Sequence, residues 1–398
     1  MRVIIVGAGV VGAATAYFVA RRGHEVTLID RHPQPAQGTS FGNAGQLSYS
    51  YTDTLADPKL LRRLPGMLLG RDVGMRILMD AALVPWGVRF LWNCTRRRAD
   101  RGTVRLLQLA SESAAALEDL LEDIPLDFAH RPAGKLLLTS SEQTLAGLRR
   151  RAELKRMHGV QIEIIGADEC MSIEPALTGW RAKIAGAAYS RNDSAGDSLA
   201  FTRGLCERLS ERGACKLELG TEVRHLVRHR NRVVGVETQQ GCIEADAVIV
   251  CAGVDSTRLL RGSRLCVPIY PLKGYSVTPE VGPHPPQVSL TDLDRRIVFS
   301  NLGGRIRLAG LADCVGIDRS VDEQRVADLV RLGRDVLPES ARFDEPLRAW
   351  AGLRPATPSG LPIVGRTSVN GLYLNVGHGA LGWTLACGTA RQLAGQLA

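Results

Sequence analysis

The sequence predicts an α/β fold with parallel strands at its core, and two stretches carry that prediction. Arg2 to Val6 (RVIIV) is a continuous apolar, β-branched run that passes straight into Gly7-Ala8-Gly9-Val10-Val11-Gly12. Ala247 to Cys251 (AVIVC) is a second such run, closed by the small residues Ala252 and Gly253. A strand apolar on both faces is covered on both sides, which is the habit of parallel sheets. With 45% hydrophobic and 23% charged residues over 398 positions, the chain has apolar surface enough for one two-lobed fold or two to three domains.

The N-terminal elements follow in order. Ala13 to Arg22 reads as a helix stopped by Gly23, and Glu25 to Ile29 as a second strand ending at Asp30. Gly7 permits the tight turn, Gly9 lets backbone approach a pyrophosphate, and Gly12 lets the helix pack closely on the strand. The helix N-terminus offers unpaired N–H groups and partial positive charge to phosphates. Asp30 stands where a carboxylate accepts hydrogen bonds from ribose hydroxyls. A lone G-x-G-x-x-G means little, but strand, glycines, helix, strand and acid in sequence specify a dinucleotide site. The acid repels the extra phosphate of NADP and does not separate NAD from FAD. Gly38 to Gln46 is small and polar, suited to laying N–H groups against a flat ligand or to an ordinary surface loop.

Further along, Leu83 to Trp92 is too short to span a bilayer. It reads as a piece packed on the neighbouring lobe, or as an interfacial segment anchored by Trp86 and Trp92 beside Arg96-Arg97-Arg98. Helices are predicted over Val104–Glu122, Gly147–His158, Leu199–Arg212 and Gln324–Val336. Strands are predicted over Gly134–Thr139, Gly186–Tyr189, Lys216–Leu219, Val223–His229, Val233–Thr238, Ile243–Glu244, Tyr270–Val277, Arg295–Ser300 and Arg305–Ala309. Asn375 to Thr384, rich in glycine, opens a final helix to about Leu397 and predicts a second backbone pocket at a positive helix end.

Composition excludes several classes. The net charge of +9 favours anionic partners, but no nucleic-acid motif accompanies it, and solvated helix faces are the reading taken. The nine Cys show no C-x-x-C pair, which argues against a disulfide framework, zinc or iron–sulfur ligation, and for a reducing compartment. No metal site is expected. Met1-Arg2 runs directly into a strand, so no signal peptide is read, and no apolar run of membrane-spanning length occurs. The expected location is cytoplasmic, with contact at the cytoplasmic face of the inner membrane as the peripheral variant.

GNAGQ at 42–46, CAG at 251–253, YPLKGYS at 270–276, GLRPATPSGLPIVG at 352–365 and NVGHGALGWTLACG at 375–388 resemble the D-amino acid dehydrogenase flavoproteins of the D-amino acid oxidase and glycine oxidase superfamily. The resemblance runs from end to end. Two features depart from it: the chain stops on its last helix, without the tail usual in the dehydrogenases, and Ser48 to Leu69 is atypical. Both bear on substrate identity.

The resemblance implies a discontinuous Rossmann-type FAD-binding domain (1–55, 193–262 and 350–398) and a substrate domain with a large mixed β-sheet (56–192 and 263–349). It implies non-covalent FAD, since no Cys or His stands in 38–46 or just before the C-terminal glycines. Besides Gly7, Gly9, Val10, Val11, Gly12 and Asp30, it assigns to the cofactor Arg31, Ser40, Asn43, Ala44, Gly45, Gln46, Val223, Ala252, Gly253, Gly352, Gly377, His378, Gly379, Leu381, Gly382, Trp383 and Thr384. It also implies oxidative deamination of a small amino acid, D in configuration, with electrons passed to a quinone or other respiratory-chain acceptor and peripheral membrane contact. Sister activities on D-hydroxyproline, glycine or an opine share the logic, as does an oxygen-using oxidase.

The chemistry asks little of the protein. Flavin accepts the hydride, so binding, orienting and drying the substrate suffice. An α-amino acid presents a carboxylate, for which a buried Arg is the best partner, and the resemblance assigns Arg354 in GLRP. Tyr275 is the candidate second contact to carboxylate or amine, or else a core tyrosine, with Tyr270 as the alternative. His378 reads as a structural or electrostatic residue at the flavin rather than an acid–base catalyst.

Overall fold

The N-terminal run forms the strand Arg2–Val6, with Val3 to Val6 buried as its apolar faces require. The computed structural model describes every residue except 70, 71, 73, 264 and 398, together with all side chains of the described residues but those of 59, 62 and 63. Arg2–Val6 pairs in parallel with Ala247–Val250 on one side and Glu25–Asp30 on the other. Leu372–Val376 and Cys215–Leu219 extend the parallel set, and Ile363–Arg366 closes one edge antiparallel. The helix Val10–Ala20 begins three residues before the reading above, because Gly9 is the N-cap and Val10 enters the first turn. It is buried on nearly every side. Its small residues Ala13 and Ala14 share one apolar cluster with Ala386 and Ala390 of the final helix, Gly382–Ala394, so the two helices lie close together.

A second, mixed sheet runs in the order Ala349–Ala356, Tyr270–Val277, Ile306–Cys314, Ile297–Asn301, Ser289–Asp292, Lys135–Thr139, Gly186–Ser190, Glu163–Ile165. Tyr270–Val277 pairs antiparallel with both neighbours, setting Leu272 opposite Arg354 and Tyr275 opposite Ala351. A bulge interrupts its register with Ile306–Cys314, where Leu311 takes a φ of +53° that a side-chain-bearing residue seldom adopts. An antiparallel trio, Val223–His229, Arg232–Thr238 and Gly241–Glu244, stands apart from both sheets.

Several boundaries differ from the sequence reading. The helix predicted from Val104 starts at Arg96 and takes in the arginine triplet. The basic helix is Glu142–Arg156, capped by Ser141, whose hydroxyl accepts the Thr144 N–H at 3.3 Å. Leu83–Asn93 is a helix that buries Leu83, Trp86 and Phe90, the Trp86 indole donating to the Ala356 carbonyl at 2.9 Å. Its other face leaves Val84, Val88, Leu91 and Trp92 exposed. Ala349–Ala356 is hydrogen-bonded along the mixed sheet, and Ala116, Leu117 and Leu120 of Arg96–Asp123 pack with the N-terminal and final helices.

Candidate functional site

A cavity of about 830 Å³ runs from the carboxyl ends of Arg2–Val6 and Ala247–Val250 to one face of the mixed sheet. Every residue assigned above to cofactor or catalysis lines it except Gly12. The reason lies in the turn. Gly7 has φ +109°, and a Cβ there would meet the Cys251 carbonyl oxygen at 2.7 Å. A Cβ on Gly12 would overlap the Gly7 carbonyl, so Gly12 serves the turn from behind rather than touching a ligand. At Gly9 a Cβ would meet only the Ser40 hydroxyl, at 3.4 Å, and would otherwise fill the cavity. Ser40 Oγ accepts the Val10 N–H at 3.0 Å and Asp30 Oδ2 accepts the Ala8 N–H at 2.7 Å, which fixes both side chains in the wall.

The rim at this end is ionic. Asp255 accepts from Arg31 and from Arg319, each at 2.9 Å, and Glu222 from Arg258 at 2.8 Å. The small, polar stretch after Asp30 is stapled to the mixed sheet: Ser276 donates to the Gly42 carbonyl at 2.7 Å, Arg307 to Asn43 at 2.6 Å and Ser300 to Ala44 at 2.8 Å. The opposite wall comes from Gly377 (φ +79°), His378, Gly379 (φ +56°) and the start of the final helix. At Gly253 and Gly379 nothing lies within 4 Å of a built Cβ. Backbone therefore faces open space at three glycines, Gly9, Gly253 and Gly379, which is the cradle a dinucleotide with a flat ring requires. FAD fits these walls.

Arg354 stands where the cradle meets the mixed sheet. Its Nη1 donates to the Leu311 carbonyl at 3.0 Å, a carbonyl aimed there by the bulge. No carboxylate pairs with it among the described residues. Burial pushes the guanidinium below its ordinary pKa, with Asp313 opposing. The guanidinium lies over Gly274, where any Cβ would collide with it.

Tyr275 lines the cavity with its ring, while its hydroxyl donates to Asp313 at 3.0 Å. Asp313 is held by Arg325 through Nε at 3.1 Å and Nη2 at 2.7 Å. Burial, then Asp313, push the phenol pKa up. Tyr270 bonds instead to Asp80, at 2.5 Å, and does not line the cavity. His378 is buried and its pKa is pushed down to about 4 by desolvation, so the ring is neutral. Thr389 spends its proton on the Leu385 carbonyl at 3.0 Å, so His378 Nε2 is the donor in their 3.1 Å bond.

Sequence reasoning missed Lys135, Tyr51 and Asp53, which also line the cavity. Lys135 Nζ donates to Ser48 Oγ at 2.7 Å, and its pKa is pushed down to about 8, chiefly by burial. The signal was a lone Lys at the head of the apolar strand Lys135–Thr139, all five of whose residues are buried.

Comparison with known proteins gives the following. The family model described as DAO, FAD dependent oxidoreductase, matches residues 2–396. D-amino acid dehydrogenase 2 of Ralstonia nicotianae is 42% identical over 410 residues, covering 100% of this chain and 96% of the relative. D-amino acid dehydrogenase of Dechloromonas aromatica is 38% identical over 403 residues, covering 99% and 96%. Among solved structures, glycine oxidase from Geobacillus kaustophilus superposes with a TM-score of 0.76 at 23% identity, over 100% of this chain and 94% of the other. L-proline dehydrogenase from P. horikoshii gives 0.77 at 17% identity, over 99% and 92%. At those identities the structures speak for the fold alone.

Proposed function

The chain belongs to the DAO family of FAD dependent oxidoreductases, and on that premise we propose that it oxidises a small D-amino acid, taking a hydride from the α-carbon and passing the electrons to a quinone or another non-oxygen acceptor. The observation that carries the reading is Arg354: a half-buried cation on the cavity wall, satisfied on one edge by the Leu311 carbonyl at 3.0 Å and left without a carboxylate among the described residues. Such a group is costly unless a ligand anion completes it, and an α-carboxylate matches its two-pronged geometry. The names of the relatives, D-amino acid dehydrogenases, support the substrate class and its configuration.

Bound FAD supplies the hydride acceptor. Arg354 holds the carboxylate. The Tyr275 hydroxyl donates to Asp313 and keeps its proton, so any contact it makes with the substrate is as an acceptor, which suits the amine N–H better than the carboxylate. His378, neutral and tied to Thr389, steadies the turn between Gly377 and Gly379 and moves no proton. Leu272, Ala309, Ala312 and Val298 give the sheet face an apolar surface that keeps water from the substrate. No base is needed if the amine enters neutral. On the acceptor side, no helix among the described residues is long and apolar enough to cross a membrane. The outward Val84, Val88, Leu91 and Trp92, with Arg98 stacked on Trp92 at 4.8 Å, support docking at an anionic membrane surface.

The test is anaerobic bleaching of the FAD-loaded protein by D- and L-amino acids, glycine, hydroxyprolines and opines. Loss of oxidised-flavin absorbance with D-amino acids alone is the expected result. Bleaching only by hydroxyproline, glycine or an opine moves the chain to a sister activity, and protein that takes up no FAD overturns the reading. Peroxide released in step with turnover would make oxygen the acceptor.

A further inference from the structure

We propose that Lys135 stabilises negative charge on the reduced flavin, at the pyrimidine edge of the ring. This rests on the flavin reading above and goes beyond it by naming the group that sets how readily the cofactor takes electrons.

The argument starts from hydrogen-bond supply. Lys135 is 3% exposed and lines the cavity. Its ammonium has three N–H groups and spends one, on Ser48 Oγ at 2.7 Å. Its other contact is the face of the Tyr51 ring at 4.9 Å. Among the described residues it makes no ion pair. Asp53 pairs with Lys155 and Arg151, each at 3.0 Å, while Asp193 Oδ1 accepts from Ser50 at 2.9 and 2.6 Å and faces Lys135 through charge alone, without a hydrogen bond between them. The Ser48 N–H donates to Thr384 Oγ1 at 3.0 Å, so the Ser48 and Thr384 hydroxyls accept here and keep their protons for the cavity. Thr384 sits in the first turn of the final helix, whose N-terminal end adds partial positive charge. This corner thus offers donors and positive charge.

The substrate carboxylate cannot be what it serves. The Arg354 guanidinium reaches the Leu311 carbonyl, and from Ile306–Cys314 to Lys135–Thr139 the mixed sheet passes through two intervening strands. Three inter-strand steps of about 4.8 Å make roughly 14 Å along the sheet, more than a small amino acid held at Arg354 spans. A flavin, by contrast, carries two carbonyls and an unprotonated nitrogen along its pyrimidine edge. On oxidation of the substrate the Cα–H bond breaks, its electron pair and hydrogen pass to flavin N5, and the Cα–N bond gains double-bond character. The ring thereby takes two electrons and one proton, and the net negative charge falls on the pyrimidine edge. A cation buried there favours the reduced form selectively, because oxidised flavin carries no such charge.

The experiment uses FAD-loaded enzyme and sulfite, which adds to flavin N5 and leaves the same negative charge with no amino acid or acceptor present. Lys135→Met is expected to weaken sulfite binding by about tenfold or more and to lower the two-electron midpoint potential, by about 30 mV for each tenfold. Lys135→Arg is expected to restore both. If Lys135→Met does not hold FAD, Lys135→Gln takes its place in the same titration. Sulfite affinity within about threefold of the parent, with FAD bound, overturns the proposal. Failure of D-amino acids to bleach the parent enzyme overturns the functional reading instead and leaves the sulfite comparison standing.

Discussion

Arg354→Leu separates binding from stability in a way few substitutions do. The guanidinium is half-buried, has one backbone acceptor at 3.0 Å, and faces an Asp313 already taken by Arg325 and Tyr275. Before substrate arrives it is a desolvated cation with an incomplete shell, a state that costs free energy. Leu fills similar space without that cost, so the substrate-free protein is expected to melt at the same temperature or higher. A charged hydrogen bond contributes about 1.5–3 kcal/mol, and losing a two-pronged grip on the carboxylate amounts to about 3–4 kcal/mol, or about 10²- to 10³-fold in kcat/KM. Arg354→Lys is expected to recover little, because the diverging N–H groups of an ammonium cannot lay two parallel bonds on a carboxylate as a planar guanidinium does. The assay is anaerobic stopped-flow reduction of bound FAD against D-amino acid concentration, beside a thermal melt. An apparent dissociation constant changed by less than about threefold, with flavin retained, refutes the assignment.

Three further outcomes follow from the same geometry. Gly274→Ala puts a methyl into the Arg354 guanidinium, so KM is expected to rise about tenfold or more with FAD binding unchanged, measured by steady-state kinetics and flavin content. His378, whose folded pKa is pushed from 6.5 down to about 4, contributes stability that is complete above pH 6.5 and is lost as pH falls towards 4, by up to about 3 kcal/mol; His378→Asn is expected to flatten that part of a melting-temperature profile. Trp92→Asp, on the outward face of Leu83–Asn93, is expected to cut binding to anionic vesicles by about tenfold in a sedimentation assay while leaving flavin reduction by substrate intact.

The cradle was legible in the sequence because its requirement is written in residue type. Gly7 at φ +109° and Gly377 at +79° occupy conformations that other residues resist, so glycine marks them. Apolar runs such as Ala247–Val250 likewise declare a strand covered on both faces. What escaped depends on partners distant in the chain. The Leu311 carbonyl reaches Arg354 only through a bulge between Tyr270–Val277 and Ile306–Cys314, and no local pattern signals a bulge at Leu311. Lys135 begins a short predicted strand; its side chain meets Ser48 and Tyr51, some eighty residues earlier in the chain. The helix Leu83–Asn93 offered two readings because both its faces are apolar, and the structure uses one for the core and leaves the other outward. Arg354 and Tyr275 came through family resemblance, since neither spacing nor composition marks a carboxylate clamp.

The seating of Arg2–Val6 between Ala247–Val250 and Glu25–Asp30, with the final helix packed on the first, has a consequence for how the protein is made. At translation speeds of about 5–20 residues per second, the first strand waits tens of seconds for its inner neighbour and longer for the last helix. In that interval the alanine-rich side of Val10–Ala20 stays bare, a natural handhold for chaperones. The Gly377–Gly379 turn and the final helix follow every other wall of the cradle along the chain, so the cradle for FAD closes only once they have been made.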